Sequence, residues 1–140
     1  MNDHKGELLF DLIKGKWMVL KKIKKGKWQD ISDIYITNSE FAILSIVYKD
    51  KPLISHVAKQ VHFTRQATHK FIKQLEQKGL VETNKANLRD KYIELTPSGE
   101  ACYEKYIALK KELENIIAEH IGEEQLKSLK EILKMEWGLY

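Results

Sequence analysis

The stretch from Phe63 to Val81 specifies both where a helix begins and where it must stop. Thr64 is a good N-cap, because its hydroxyl can accept from the free N–H groups of a first turn. Phe71, Ile72 and Leu75 fall at i, i+1 and i+4, which makes one buried stripe. Gly79 stands where a helix ends in a left-handed turn, a conformation that glycine alone enters cheaply. The opposite face carries Arg65, Gln66, His69, Lys70 and Lys73. A helix anchored by one face and offering long donors on the other suits the reading of DNA base edges. The same pattern describes an ordinary solvated surface helix, so the flanking chain has to decide between the two.

Upstream, Thr37 and Glu40 have the capping-box spacing, and Phe41, Ile43, Leu44, Ile46, Val47 and Tyr48 make a helix apolar nearly all round, hence buried. Pro52 excludes its continuation. A short helix follows from Ile54 to Val61, with Ser55 as its cap and Ile54, Val57, Ala58 and Val61 inward. A tight joint at His62 and Phe63 then leads into the helix described first, which gives a helix-turn-helix. Downstream, Leu80 to Thr83 and Tyr92 to Leu95 read as strands around a polar middle, Asn84 to Lys91, that carries Asn87 and Arg89. A helix-turn-helix followed by a hairpin is a winged helix. The fold expected is therefore mainly α with a small β-hairpin wing.

Helices flank this unit on both sides. Glu7 to about Lys25 has Leu8, Leu9, Leu12, Ile13, Trp17, Leu20 and Ile23 at three- and four-residue spacing, and Phe10, Met18 and Val19 widen the stripe. Gly26 to Ile36 reads as a connector whose Trp28, Ile31, Ile34 and Tyr35 either cap the core or line a pocket, the core being preferred. Thr96 and Pro97 open a long helix to about Ile121, with Thr as N-cap and Pro at the first helical position. Gly122 ends it, and a last helix runs from Glu123 to about Trp137. These amphipathic helices exceed what a winged helix can cover, so dimerisation is the expected use of their apolar faces. Residues 1–36 then supply an N-terminal dimerisation helix and connector, 37–99 the winged helix-turn-helix, and 100–140 the C-terminal dimerisation helices.

Composition narrows the function classes. The 140 residues carry a net charge of +4, which permits a polyanionic partner without requiring one. The one cysteine, Cys102, excludes an internal disulfide and fits a reducing, cytoplasmic setting. No apolar run approaches a membrane span, and Met1 to Lys5 is polar, unlike a signal peptide. The histidines, His4, His56, His62, His69 and His120, lack structural zinc spacing, so no metal is expected. There is no Gly-rich phosphate loop, no HExxH and no GxSxG, so neither an enzyme nor a cofactor is expected.

Several motifs recur together: Thr64-Arg65, then Leu75-Glu76-Gln77-Lys78-Gly79-Leu80-Val81, then Asn87-Leu88-Arg89, then Leu95-Thr96-Pro97-Ser98-Gly99. From Thr37 to Gly99 the chain resembles the MarR family of bacterial transcription regulators, and the flanking helices match the family's layout. Asn87 stands where the family has an Asp that braces the wing arginine. Thr68 stands where an aliphatic residue is common, and the turn before Thr64 lacks the usual Gly. The resemblance implies a homodimer on a pseudo-palindromic operator in double-stranded DNA, more often a repressor than an activator. It also implies recognition helices in major grooves and Arg89 in the adjacent minor groove. Many relatives are released by a small aromatic ligand bound between the dimerisation helices and the reading head.

The DNA-contacting residues expected are Thr64, Arg65, Gln66, His69, Lys70, Lys73 and Arg89. Arg65 and Gln66 open the helix and can pair with guanine and adenine edges respectively; His69 lies one turn on and can meet a base or a phosphate. Lys70, Lys73 and Thr64 meet phosphate. Trp17, Trp28, Tyr35, Phe41 and Tyr106 are candidates for an effector pocket, or are simply core. The basic run from Lys21 to Lys27 reads as a solvated helix end, and Cys102 as a buried, inert thiol. Two alternatives remain: a winged-helix protein-interaction module whose basic face meets an acidic protein, and a regulator triggered by redox or metal.

Overall fold

The computed structural model describes residues 6–139, so Met1 to Lys5, including His4, lie outside it. Six helices and one antiparallel hairpin follow in the order α1 (Leu9–Ile31), α2 (Asn38–Val47), α3 (Ile54–Gln60), α4 (Arg65–Gln77), β1 (Val81–Lys85), β2 (Lys91–Leu95), α5 (Pro97–Ile121) and α6 (Glu123–Lys134). The winged helix-turn-helix expected from the sequence is present. The chain divides into two compact units, one running through Tyr106 and the other starting at Ile107.

The core of the first unit is made by the residues that the helical stripes nominate. Ile43, Leu44 and Val47 of α2, Val57 of α3 and Leu75 of α4 are completely or almost completely enclosed, together with Leu80 and Ile93 of the hairpin. Phe71 is only half-buried and meets Phe63 edge-on at 5.5 Å. Thr68 is fully buried instead, and its hydroxyl donates to the Thr64 carbonyl at 2.9 Å. That bond within the helix satisfies the hydroxyl where an aliphatic side chain would need no partner.

Local capping explains where the elements begin and end. Thr37 and Glu40 close a complete capping box at α2. Thr64 Oγ1 accepts from the Ala67 N–H at 3.0 Å at α4. The far end of α4 closes as a Schellman motif: the Gly79 N–H donates to the Glu76 carbonyl and the Leu80 N–H to the Leu75 carbonyl, each at 3.0 Å. Gly79 has φ +74°, which explains glycine there. The joint before α4 places His62 at φ 23°, so a histidine occupies the strained turn position where the sequence lacks glycine.

Two helix ends, one cap and one strand edge differ from expectation. The first helix continues through Gly26 to Ile31 instead of ending near Lys25. A glycine in a helix interior costs about 1 kcal/mol, whereas burying Trp28 contributes about 2 kcal/mol or more, and Trp28 is buried at 5% exposure. Ile31, Ile34 and Tyr35 of the same stretch are exposed. Ser55 does not cap α3, whose N-cap is Leu53 with no side-chain bond. The last helix stops at Lys134, short of Trp137. The hairpin also has an additional edge: the Ile93 N–H donates to the Pro52 carbonyl at 3.0 Å, and Leu53 bridges Tyr92.

Two interactions fix the reading head. Glu40, fully buried, receives Lys78 Nζ at 2.7 and 2.8 Å while its Oε1 also accepts from the Thr37 N–H. The same ammonium donates to the Tyr35 carbonyl at 2.6 Å. Near the start of α5, Thr96 Oγ1 donates to the Gly79 carbonyl at 2.6 Å and accepts from the Gly99 N–H at 3.0 Å. A Cβ at position 99 would overlap the Leu80 carbonyl, so the Leu-Thr-x-x-Gly motif reflects a backbone-to-backbone approach. Replacing Glu40 with Ala removes one partner of a buried pair and one arm of the capping box. It is expected to destabilise the protein by about 3 kcal/mol, the low end for such losses because Lys78 keeps some solvent access. The urea midpoint at fixed protein concentration measures this.

Candidate nucleic-acid interface

Helix α4 presents Arg65, Gln66, His69, Lys70 and Lys73 to solvent, as its apolar stripe requires. All are exposed while Ile72 and Leu75 face the core. Thr64 is exposed at the N-terminal end, where the first N–H groups of α4 and the positive end of its dipole favour an anion.

The wing lies beside this helix. A cleft of about 630 Å³ runs between them, lined by His69 and Lys73 from α4 and by Lys85, Arg89 and Lys91 from the hairpin. The structure therefore brings His69, Lys73 and Arg89 to one basic groove, while Arg65, Gln66 and Lys70 lie on the helix face outside it. Lys85 and Lys91 were not singled out by the sequence motifs, although both are strand ends flanking the wing turn. Asn87 Oδ1 accepts from the Arg89 backbone N–H at 2.8 Å. The asparagine thus braces the turn that carries Arg89, leaving the exposed arginine side chain directed by the hairpin rather than by a carboxylate. Leu88, beside it, is 92% exposed.

Two acidic residues, Glu76 and Asp90, also line this groove. Asp90 Oδ2 accepts from Ser55 Oγ at 2.6 Å, and Oδ1 accepts from the Ser55 N–H at 3.4 Å and the Lys91 N–H at 2.9 Å. The Ser55 hydroxyl bond, more than any other influence, holds its carboxyl below the usual carboxylate range against some desolvation, with smaller help from those backbone bonds and from Arg65. Sequence spacing could not reveal this contact, since the two residues are 35 positions apart.

The candidate effector residues separate into two groups. Trp28, Phe41 and Tyr106 form one aromatic cluster, with Phe41 stacked on Tyr106 at 3.7 Å and Trp28 edge-on to Phe41 at 5.2 Å. All three are buried, and Trp28 Nε1 donates to the Ile34 carbonyl at 2.9 Å. A cavity of about 700 Å³ opens beside them, bounded by Trp28, Tyr35 and Phe41 and by Lys21, Lys24 and Lys25. Tyr106 backs the cluster without lining the cavity, and Trp17 is half-exposed on α1 beside Lys21 and Lys24, also outside the lining. The basic run is accordingly mid-helix and partly a cavity wall, not a solvated helix end. Lys24 Nζ donates to Tyr106 Oη and Asn38 Oδ1, each at 3.0 Å, and burial pushes its ammonium down from the usual value.

Among the described residues no group of three or more His, Cys, Asp or Glu side chains is placed to hold a metal ion. No helix of the described residues is long and apolar enough to cross a membrane.

The fold is shared with solved transcription regulators. The transcription regulator MepR of the Staphylococcus aureus multidrug efflux pump MepA superposes with a TM-score of 0.74 at 23% identity, over 90% of this chain and 93% of that one. MepR in complex with DNA matches at 0.73, with the same identity and coverage. The transcriptional regulator PA4135 matches at 0.68 and 21% identity, over 91% and 93% of the two chains. Both regulators are of MarR type. This chain has the MarR-type winged-helix fold. No family model matches the sequence, and no curated protein matches it. The fold correspondence thus rests on three-dimensional similarity across nearly the full chain.

Within that MarR-type fold, Cys102 sits early in α5, buried, with burial pushing its thiol up from the usual range and Lys105 and Lys78 pulling weakly the other way. A raised value means less thiolate at any given pH, so its reactivity should move to higher pH. Alkylation by iodoacetamide at pH 8 is expected to be much slower in the folded protein than after unfolding in urea. Equal rates in the two states would contradict an inert thiol.

Proposed function

We propose that this protein is a DNA-binding transcription regulator, acting as a homodimer and as a repressor rather than an activator. The observation that carries the reading is the groove between α4 and the wing, which brings His69, Lys73 and Arg89 together with Lys85 and Lys91. Support comes from the shared fold with MepR, whose solved structures include a DNA complex. Arg65 and Gln66 are the base readers, and His69 assists them. Thr64, Lys70 and Lys73 hold phosphate, and Arg89 enters the minor groove, where narrow A·T-rich sequence deepens the negative potential. A two-fold dimer would read a pseudo-palindromic operator. Such a regulator works in the cytoplasm, where its DNA is.

The dimer reading has its own support in unburied apolar surface. On α1, Leu9, Phe10, Leu12, Trp17, Met18 and Val19 are all more than half exposed. In the second unit, α6 leaves Leu129, Ile132 and Leu133 exposed along one side. Apolar surface on this scale is characteristic of association sites. In this reading residues 1–36 and 100–140 serve dimerisation and 37–99 serves DNA binding.

The cavity beside Trp28 and Phe41 is the proposed effector site. Its volume lies in the range of small-molecule pockets. Its aromatic rings suit a flat ligand, and the amines of Lys21, Lys24 and Lys25 favour one bearing a carboxylate or phenolate. Titration with a panel of aromatic acids and phenols should give saturable quenching of tryptophan fluorescence and release of DNA. No saturable change across the panel would argue for a regulator without such a ligand.

The direct test is binding of the purified protein to duplex DNA from upstream of its own gene, compared with random duplex of equal length. Arg65→Ala is expected to change sequence preference at a cost of about 1–3 kcal/mol, whereas Lys73→Ala should weaken all sequences alike and lower the salt slope by about 1. Fluorescence anisotropy over a salt series measures both. Equal losses of Arg65→Ala on operator and random DNA would remove the base-reading role. Binding to an acidic protein without salt-dependent duplex binding would instead identify an interaction module.

A further inference from the structure

We propose that Asp90 and Ser55 are positioning residues for DNA recognition, tying the wing to the start of α3 and so setting where Arg89 stands relative to Arg65. This rests on the DNA-binding reading given above. The segment before α3 runs antiparallel to β2, with the Pro52 carbonyl bonded to the Ile93 N–H and Leu53 bridged to Tyr92. Continuing the same register would pair residue 54 with 91 and 55 with 90. The chain turns into α3 at Ile54, however, and the backbone ladder stops.

Asp90 takes over from the ladder with its side chain. Its carboxylate receives both the hydroxyl and the backbone N–H of Ser55, in the first turn of α3. Leu53, the N-cap of that helix, supplies no side-chain acceptor. A residue of the wing therefore caps a helix of the reading head in trans, using the acceptor chemistry that an Asp N-cap normally supplies locally. At the same time the Asp90 carbonyl closes the wing turn, accepting from the Ala86 N–H at 3.2 Å and the Asn87 N–H at 3.3 Å. Arg89 is the adjacent residue, so the turn that carries it is held at both the wing and α3.

Electrostatics alone would disfavour this carboxylate. It lines the same groove as His69, Lys73, Lys85, Arg89 and Lys91, where phosphate would sit, and it opposes the polyanion. Positioning and charge consequently predict opposite signs. If Asp90 acts only through charge, Asp90→Ala binds every duplex more tightly. If it positions the wing, Asp90→Ala binds the operator more weakly while random duplex is unchanged or tighter.

The experiment measures operator and random-duplex affinity for the full chain by anisotropy across a salt series. The expected result is about a tenfold loss on the operator for Asp90→Ala, the scale of one charge-assisted hydrogen bond, with no loss on random DNA. Ser55→Ala leaves the charge in place and should reproduce most of the loss, Ser55→Thr should restore binding, and the double variant should be no worse than Asp90→Ala alone. Circular-dichroism melts check that the variants are folded, and Ser55→Ala serves if Asp90→Ala is not. Tighter binding of Asp90→Ala to both duplexes, or normal operator binding by Ser55→Ala, overturns the proposal while leaving the regulator reading intact. Failure of the wild-type protein to bind any duplex overturns both.

Discussion

The buried pair between Glu40 and Lys78 is the interaction on which the reading head depends. Glu40 belongs to the first turn of α2 and Lys78 is the C-cap residue of α4, so a single contact joins the start of one core helix to the end of the helix that faces outward. Burying an isolated carboxylate is costly, and it is tolerated here because every side of it is satisfied: the ammonium on one flank and the Thr37 N–H on the other. The gain is specificity of placement. An apolar pair at these positions would supply comparable burial without fixing the rotation of α4 about its axis, and that rotation decides which side chains face outward.

The same economy appears at the other end of the hairpin. Gly79 turns the chain out of α4, Leu80 closes the Schellman motif, and Thr96 and Gly99 bring the start of α5 directly onto this backbone. Helix end, strand start and next helix start are thereby superposed at one place. The C-terminal end of α4 is held by these contacts, while Thr64, Arg65 and Gln66 at its N-terminal end are exposed.

What could be read from the sequence was whatever is local. The starts of α2, α4 and α5 were legible because Thr37, Thr64 and Thr96 cap within three residues of themselves, and the end of α4 because Gly79 announces a left-handed turn. The order of helix-turn-helix and hairpin followed from those boundaries. The extent of α1 was not legible, since Gly26 reads as a stop and only the burial of Trp28 in the tertiary structure overrides it. Ser55 was taken for a cap because it stands at a helix start, yet its partner is Asp90 on the wing, a pairing no spacing rule contains. The aromatic candidates behave similarly. The sequence puts Trp17 on the first helix and Trp28 in a connector, so it could not show that one helix carries both, with Trp28 facing the α2 aromatics and Trp17 left exposed.

Lys78 also reaches the wall of the cavity. Its ammonium is bonded to the carbonyl of Tyr35, and Tyr35 is part of the cavity wall. One charged nitrogen is therefore shared by the pocket rim, the start of α2 and the end of α4. A shift of the segment at Tyr35 would break this 2.6 Å bond or draw the Lys78 side chain after it, away from its place on Glu40. The wall of the cavity and the C-terminal end of α4 thus meet at one hydrogen-bonding group.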